Sequence, residues 1–160
     1  MSRTRIEWLH RMPIFGALRD DTLAFLLGLM QPMAVRAGEV FFREGDAATG
    51  LYVLERGSAS VYKGWEGQQV LLHRLQAGDC FGEMALMDLM PRSATVIADE
   101  DGDALRMDSD GLYGLCKHDL EQFALIQMNM GREVSRRLRA ADDELFRLRQ
   151  GAQTVARPQR

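Results

Sequence analysis

Between residues 38 and 82 the chain carries glycine at eight positions: Gly38, Gly45, Gly50, Gly57, Gly64, Gly67, Gly78 and Gly82. Glycine interrupts regular elements and supplies the backbone conformations of tight turns. The runs between these breaks, "EVFF", "LYVLER", "SASVYKGW" and "QQVLLHRL", are short and rich in strand-forming residues. "SASVY" alternates as a half-buried strand does, whereas "LYVL" reads as buried on both faces. Many short strands at this spacing predict a β-sandwich, barrel or jelly roll over residues 31 to 108.

Helical segments are expected on both sides of this region. Residues 1 to 30 form the first. In "RDDTLAFLLGLM" two acids precede an apolar face of Leu23, Leu26, Leu27 and Met30, which suits a helix dipole and a 3.6-residue period. Residues 109 to 150 form the second, with a short helix over "SDGLYGLCKH" and then a long one from Asp119. Residues 151 to 160 contain Gly151 and Pro158 and little apolar content, so a frayed tail is expected there. In the long helix Val134, Leu138, Ala141, Leu145 and Leu148 follow steps of 4, 3, 4 and 3. That is a seam of just over two heptads, suited to a second copy or to the chain's own β-domain.

Composition narrows the function classes. The 160 residues are 46% apolar and 27% charged, with a net charge of −3, which gives no general attraction to nucleic acid. No apolar run approaches the roughly 20 residues of a membrane span, and the start lacks the apolar stretch of a signal peptide. Cys80 and Cys116 lack a CxxC spacing and read as free thiols in a cytoplasmic protein. His10, His73 and His118 are scattered, so no metal site is expected, and no activated nucleophile is visible. The chain is therefore expected not to be an enzyme and to need no cofactor. "REVSRRLR" is basic, but Asp142, Asp143 and Glu144 follow it, as on a solvated helix face.

The stretch "FGEMALMDLMPRSATV", residues 81 to 96, places Glu83 and Arg92 at the ends of an otherwise apolar run. Charges in such a setting are costly unless they pair or bind something. Gly82 begins a tight bend into a short helix, "EMALMDL", which Pro91 ends before "SATV" resumes a strand. A helix start suits an anion, and a guanidinium matches phosphate oxygens. An ionised Glu83 only accepts hydrogen bonds, so it meets either hydroxyls or Arg92 itself. A sugar phosphate or a cyclic nucleotide satisfies both residues.

This stretch closely resembles the phosphate-binding cassette of cyclic nucleotide-binding domains. The resemblance extends through "PIFGALRDDTLAFL", "AGEVFFREGDAATGLYVLERGSASVY" and "SRRLRAADDEL", covering about residues 10 to 148. It implies an α+β, mainly β fold: an eight-stranded antiparallel jelly roll with N-terminal helices and a long C-terminal lid helix. It also implies site roles. Glu83 takes the ribose 2′-hydroxyl and Arg92 the cyclic phosphate. The amides of Gly82, Met84 and Ala85 and the Ser93 hydroxyl complete the cradle. Leu72, His73 and Leu75 flank the base, and Ala141 and Asp142 touch it from the lid. Two features depart from the pattern: the spacer "MDLM" lacks the frequent glycine, and position 93 is serine, as in bacterial cyclic-AMP activators. The expected function is thus a cyclic-nucleotide sensor for cyclic AMP, or else cyclic GMP. It would act on an unknown protein partner and dimerise through its last helix. The alternative is the sensor half of a catabolite-activator-type transcription regulator. Only about ten residues follow Gln150, too few for a helix-turn-helix domain, so this chain alone is not expected to bind nucleic acid.

Overall fold

The computed structural model describes residues 2–155, apart from the side chains of Ser2, Arg3, Ala85 and residues 151–155. Helix α1 (Ser2–Leu9), a 3-10 turn (Pro13–Phe15) and α2 (Asp20–Leu29) lead into eight strands. These are β1 (Gln31–Val35), β2 (Val40–Phe42), β3 (Gly50–Arg56), β4 (Ser58–Trp65), β5 (Gln68–Gln76), β6 (Cys80–Phe81), β7 (Thr95–Ala98) and β8 (Gly102–Asp108). A single-turn helix, α3 (Met84–Met87), sits between β6 and β7, and α4 (Ser109–His118) and α5 (Leu120–Val155) end the chain.

The strands form two four-stranded antiparallel sheets, in the orders β1-β8-β3-β6 and β2-β7-β4-β5. This is the expected eight-stranded jelly roll. Strand alternation explains why "LYVL" is buried throughout. Tyr52 and Leu54 point into the space between the sheets, with Val61, Leu75, Phe81 and Val96. Leu51 and Val53 point the other way, into a second core shared with Phe15, Leu23, Leu26, Leu115 and Ile126. Strand β8 divides in the same manner, with Ala104 on one side and Leu105 and Met107 on the other. "SASVY" is more buried than its alternation suggests. Ser60 is fully enclosed because its hydroxyl donates to Asp99 at 2.9 Å, which satisfies it.

The first half of α5 is anchored by two buried amides. Asn129 donates to the carbonyl of Gly16 at 2.8 Å, and Gln122 accepts from the Arg19 amide at 2.8 Å. Ile126 and Met130 are fully buried beside them. The helix runs without a break through Gly131 and continues to Val155, so residues 151–155 are helical rather than frayed. Residues 156–160 of the expected tail lie outside the described part. Every residue from Leu138 to Gln150 is exposed. The heptad seam therefore leaves the β-domain after Val134, and in this structure Leu138, Ala141, Leu145 and Leu148 do not pack on the chain's own sheets.

Candidate functional site

The cassette is built on one backbone device. Gly82 adopts φ +81°, a conformation that side chains disfavour, and a Cβ there would lie 2.7 Å from Nη1 of Arg92. Glycine thus turns the chain from β6 into α3 and lets the arginine approach. The four-residue α3 is shorter than the expected "EMALMDL". The chain leaves it through Leu89, which takes a left-handed φ of +57° and is 88% exposed. This is where the absence of a spacer glycine is felt. Leucine accepts a conformation that glycine adopts without strain.

Arg92 is 3% exposed. Its Nη1 donates to the Gly82 carbonyl at 2.7 Å and its Nη2 to the Gly50 carbonyl at 2.6 Å. Its guanidinium lies 4.1 Å from the centroid of Phe42, within an aromatic cluster of Phe41, Phe42, Tyr52 and Phe81. Burial pulls its pKa down from the usual arginine value, yet a guanidinium remains charged. Among the described residues Nε has no hydrogen-bond partner.

Glu83 is 1% exposed and does not pair with Arg92. Its Oε1 accepts from Nη1 of Arg137, on α5, at 2.8 Å. Arg137 also donates to the Cys80 carbonyl at 2.8 Å and to Glu133 at 3.3 Å. Burial raises the Glu83 carboxyl above its ordinary range, and the Arg137 charge opposes the rise only in part. Oε2 has no partner. The cassette therefore holds one buried cationic donor and one buried anionic acceptor, each with an unsatisfied atom. Such groups cost about 1–3 kcal/mol each, and more when charged, unless something satisfies them. A ligand that joins an anion to a hydroxyl fits both.

The other expected site residues fall into two groups. Met84 begins α3 and is half exposed, Ala85 follows it within the helix backbone, and Ser93 is exposed beside Arg92. In β5, Val61 pairs with His73 and Tyr62 with Leu71, so Leu72 is an extra, bulged residue, 54% exposed. Leu75 is buried in the inter-sheet core and is not free to meet a ligand without moving. His73 shares its face, and partial burial and the nearby Arg137 charge both lower its pKa. Ala141 and Asp142 are exposed on α5, and among the described residues no hydrogen bond or ion pair ties them to the cassette.

Arg137 is the residue that sequence reasoning missed. It lies off the heptad seam in an arginine-rich run, and nothing local separates it from Arg136 or Arg139. Cys80, next to it, is buried, and burial raises its thiol pKa well above the ordinary value. Cys116 is also free. Among the described residues no cluster of His, Cys, Asp and Glu is arranged to hold a metal, and no helix is long and apolar enough to cross a membrane.

Known proteins share this fold and sequence pattern. The family model described as cyclic nucleotide-binding domain matches residues 32–119. A cyclic AMP receptor protein of Thermus thermophilus is 31% identical over 134 residues, 83% of this chain and 60% of that protein. A cAMP-dependent protein kinase regulatory subunit of Aspergillus niger is 31% identical over 108 residues, 68% of this chain and 26% of that subunit. The chain thus spans 60% of the first of these relatives and 26% of the second. The crystal structure of the Thermus thermophilus catabolite activator protein superposes with a TM-score of 0.74, covering 85% of this chain and 62% of that one. A cyclic nucleotide-binding domain from Methylobacillus flagellatus, 23% identical, shares the fold with a TM-score of 0.80 over 91% of this chain and 82% of that one. With the family model matched over more than half its length, the chain belongs to the cyclic nucleotide-binding domain family.

Proposed function

We propose that this protein is a cyclic AMP sensor that passes ligand binding to its C-terminal helix. The observation that carries the reading is the pair of unsatisfied buried atoms, Glu83 Oε2 and Arg92 Nε. Arg92 takes the cyclic phosphate, with Ser93 and the amides of Gly82, Met84 and Ala85 around it, and Glu83 takes the ribose 2′-hydroxyl. Ser93 favours cyclic AMP over cyclic GMP. Arg137 joins the site to α5, because it already holds Glu83 from that helix. Ala141 and Asp142 meet the base when the helix swings over the site. The contact then exists in only one of two helix positions, which is what a ligand needs to shift a population.

The exposed seam of Leu138, Ala141, Leu145 and Leu148 supports a homodimer through α5. The reading places the protein in the cytoplasm, with a protein partner as its output and without catalysis of its own. Calorimetric titration with cyclic AMP, cyclic GMP and 2′-deoxy cyclic AMP tests the ligand assignment. Cyclic AMP is expected to bind tightest, and loss of the 2′-hydroxyl to weaken it. Cyclic GMP binding about tenfold tighter, some 1.4 kcal/mol, contradicts the assignment.

A further inference from the structure

Two residues before its end, strand β4 carries Lys63, whose ammonium makes two contacts. It donates to the Ser93 carbonyl at 2.8 Å and forms an ion pair with Glu44 Oε1. Glu44 is itself fixed: its Oε2 accepts from the Gly64 amide at 2.9 Å, and its own amide donates to Thr95 Oγ1 at 2.9 Å. The hydrogen bonds from Lys63 and from the Gly64 amide hold the Glu44 carboxyl below its ordinary pKa. Strand alternation puts Lys63 on the same face as Ala59 and Val61, which pair with Ala98 and Val96 and point between the sheets. Lys63 itself is about half exposed and reaches the Ser93 carbonyl from β4.

The main chain of Arg92 is held from another loop: its amide donates to the Asp46 carbonyl, and its carbonyl accepts from the Gly45 amide, each at 2.9 Å. The next peptide, ending in the Ser93 carbonyl, is tied to β4 by the Lys63 ammonium. Two neighbouring residues thus face the expected phosphate, and a different anchor holds each. We infer that Lys63, with Glu44 as its counter-ion, is a positioning residue that fixes the orientation of Ser93 relative to Arg92. It thereby sets which of the two exocyclic phosphate oxygens the cradle prefers. The inference rests on the cyclic-nucleotide reading above. Lys63 acts through the Ser93 carbonyl, so its loss is felt as a changed geometry at the phosphate. The 2′-hydroxyl contact at Glu83 lies outside its reach.

The test uses the two phosphorothioate diastereomers of cyclic AMP, which differ only in the exocyclic oxygen replaced by sulfur. Affinities for both, and for cyclic AMP and its 2′-deoxy analogue, are measured on wild type, Lys63→Met, Lys63→Arg and Glu44→Gln. Lys63→Met is expected to weaken cyclic AMP roughly three- to tenfold, the range for one hydrogen bond. It is also expected to shrink the ratio between the diastereomers while leaving the 2′-deoxy penalty unchanged. Lys63→Arg keeps the charge and a donor and is expected to restore most of the ratio. If Lys63→Met does not fold, Glu44→Gln, which frees the ammonium from its counter-ion, is expected to shift the ratio in the same direction. An unchanged diastereomer ratio in the folded variants overturns the inference, even if overall affinity falls. Wild-type protein that binds none of the four ligands overturns the cyclic-nucleotide reading itself, and this inference with it.

Discussion

Glu83 is a carboxylate that folding makes more expensive to ionise. Burial raises its pKa, and Arg137 offsets only part of the rise. The sign follows from linkage. A carboxyl with a raised folded pKa contributes nothing unfavourable below its unfolded value, about 4.3. Stability then falls as pH rises through the window up to the raised folded value, and levels off above it. Glutamine in its place carries no such penalty. The thermal midpoint of Glu83→Gln relative to wild type is therefore expected to climb from about pH 4.3 and then reach a plateau. Thermal melts between pH 4 and 8 check this, and a difference that stays flat or falls contradicts it. The same variant is expected to bind 2′-hydroxyl ligands more weakly, so the site keeps a costly charge where a ligand needs it. That Arg137 is the partner of Glu83 could not be seen in the sequence. The run from Phe81 to Val96 offers Arg92 as the obvious partner, whereas the actual one stands 54 residues away on α5.

Among elements, the cassette and α5 differ in what holds them. The cassette depends on the Gly82 turn. Gly82→Ala meets two obstacles: the positive φ, and a Cβ 2.7 Å from the Arg92 guanidinium. Gly38 has a similar φ, +85°, with nothing within 4 Å of a Cβ. Gly38→Ala should therefore cost only the backbone strain, roughly 1–2 kcal/mol. Gly82→Ala should cost more in a denaturant melt and also displace Arg92. Equal losses in the two variants contradict this reading of the turn. The spacing of glycines and the Phe-Gly-Glu run made both positions legible in the sequence, because a turn is a local property.

The fate of α5 was not local. Its heptad seam suited a second copy or the chain's own sheets equally well, and only the fold shows that Leu138, Leu145 and Leu148 are 60%, 47% and 64% exposed. A helix that exposes such a stripe is expected to bury it against another copy. Light scattering should find a dimer for wild type at tens of micromolar, and a monomer for Leu138→Asp/Leu145→Asp with unchanged secondary structure. A monomeric wild type, with and without cyclic AMP, contradicts the dimer.

Across the whole molecule, one sheet serves two cores. Strands β3 and β8 send alternate side chains toward the helices and toward the inter-sheet space, so the Arg92 site and the anchored half of α5 share a wall. Arg137 closes the circuit, linking α5 directly to Glu83 of the cassette. The two-sided burial of "LYVL" was readable from its unbroken apolar run. The circuit was not, because it joins residues 83 and 137 through tertiary packing alone. The central claim is that Arg92 binds the phosphate of a cyclic nucleotide, and calorimetric titration of cyclic AMP into wild type and Arg92→Ala tests it most directly. The account predicts saturable binding to wild type and a loss of about 2–5 kcal/mol in the variant, the range for breaking a buried charge pair. Equal affinity in the two proteins, or no binding to wild type, would contradict it.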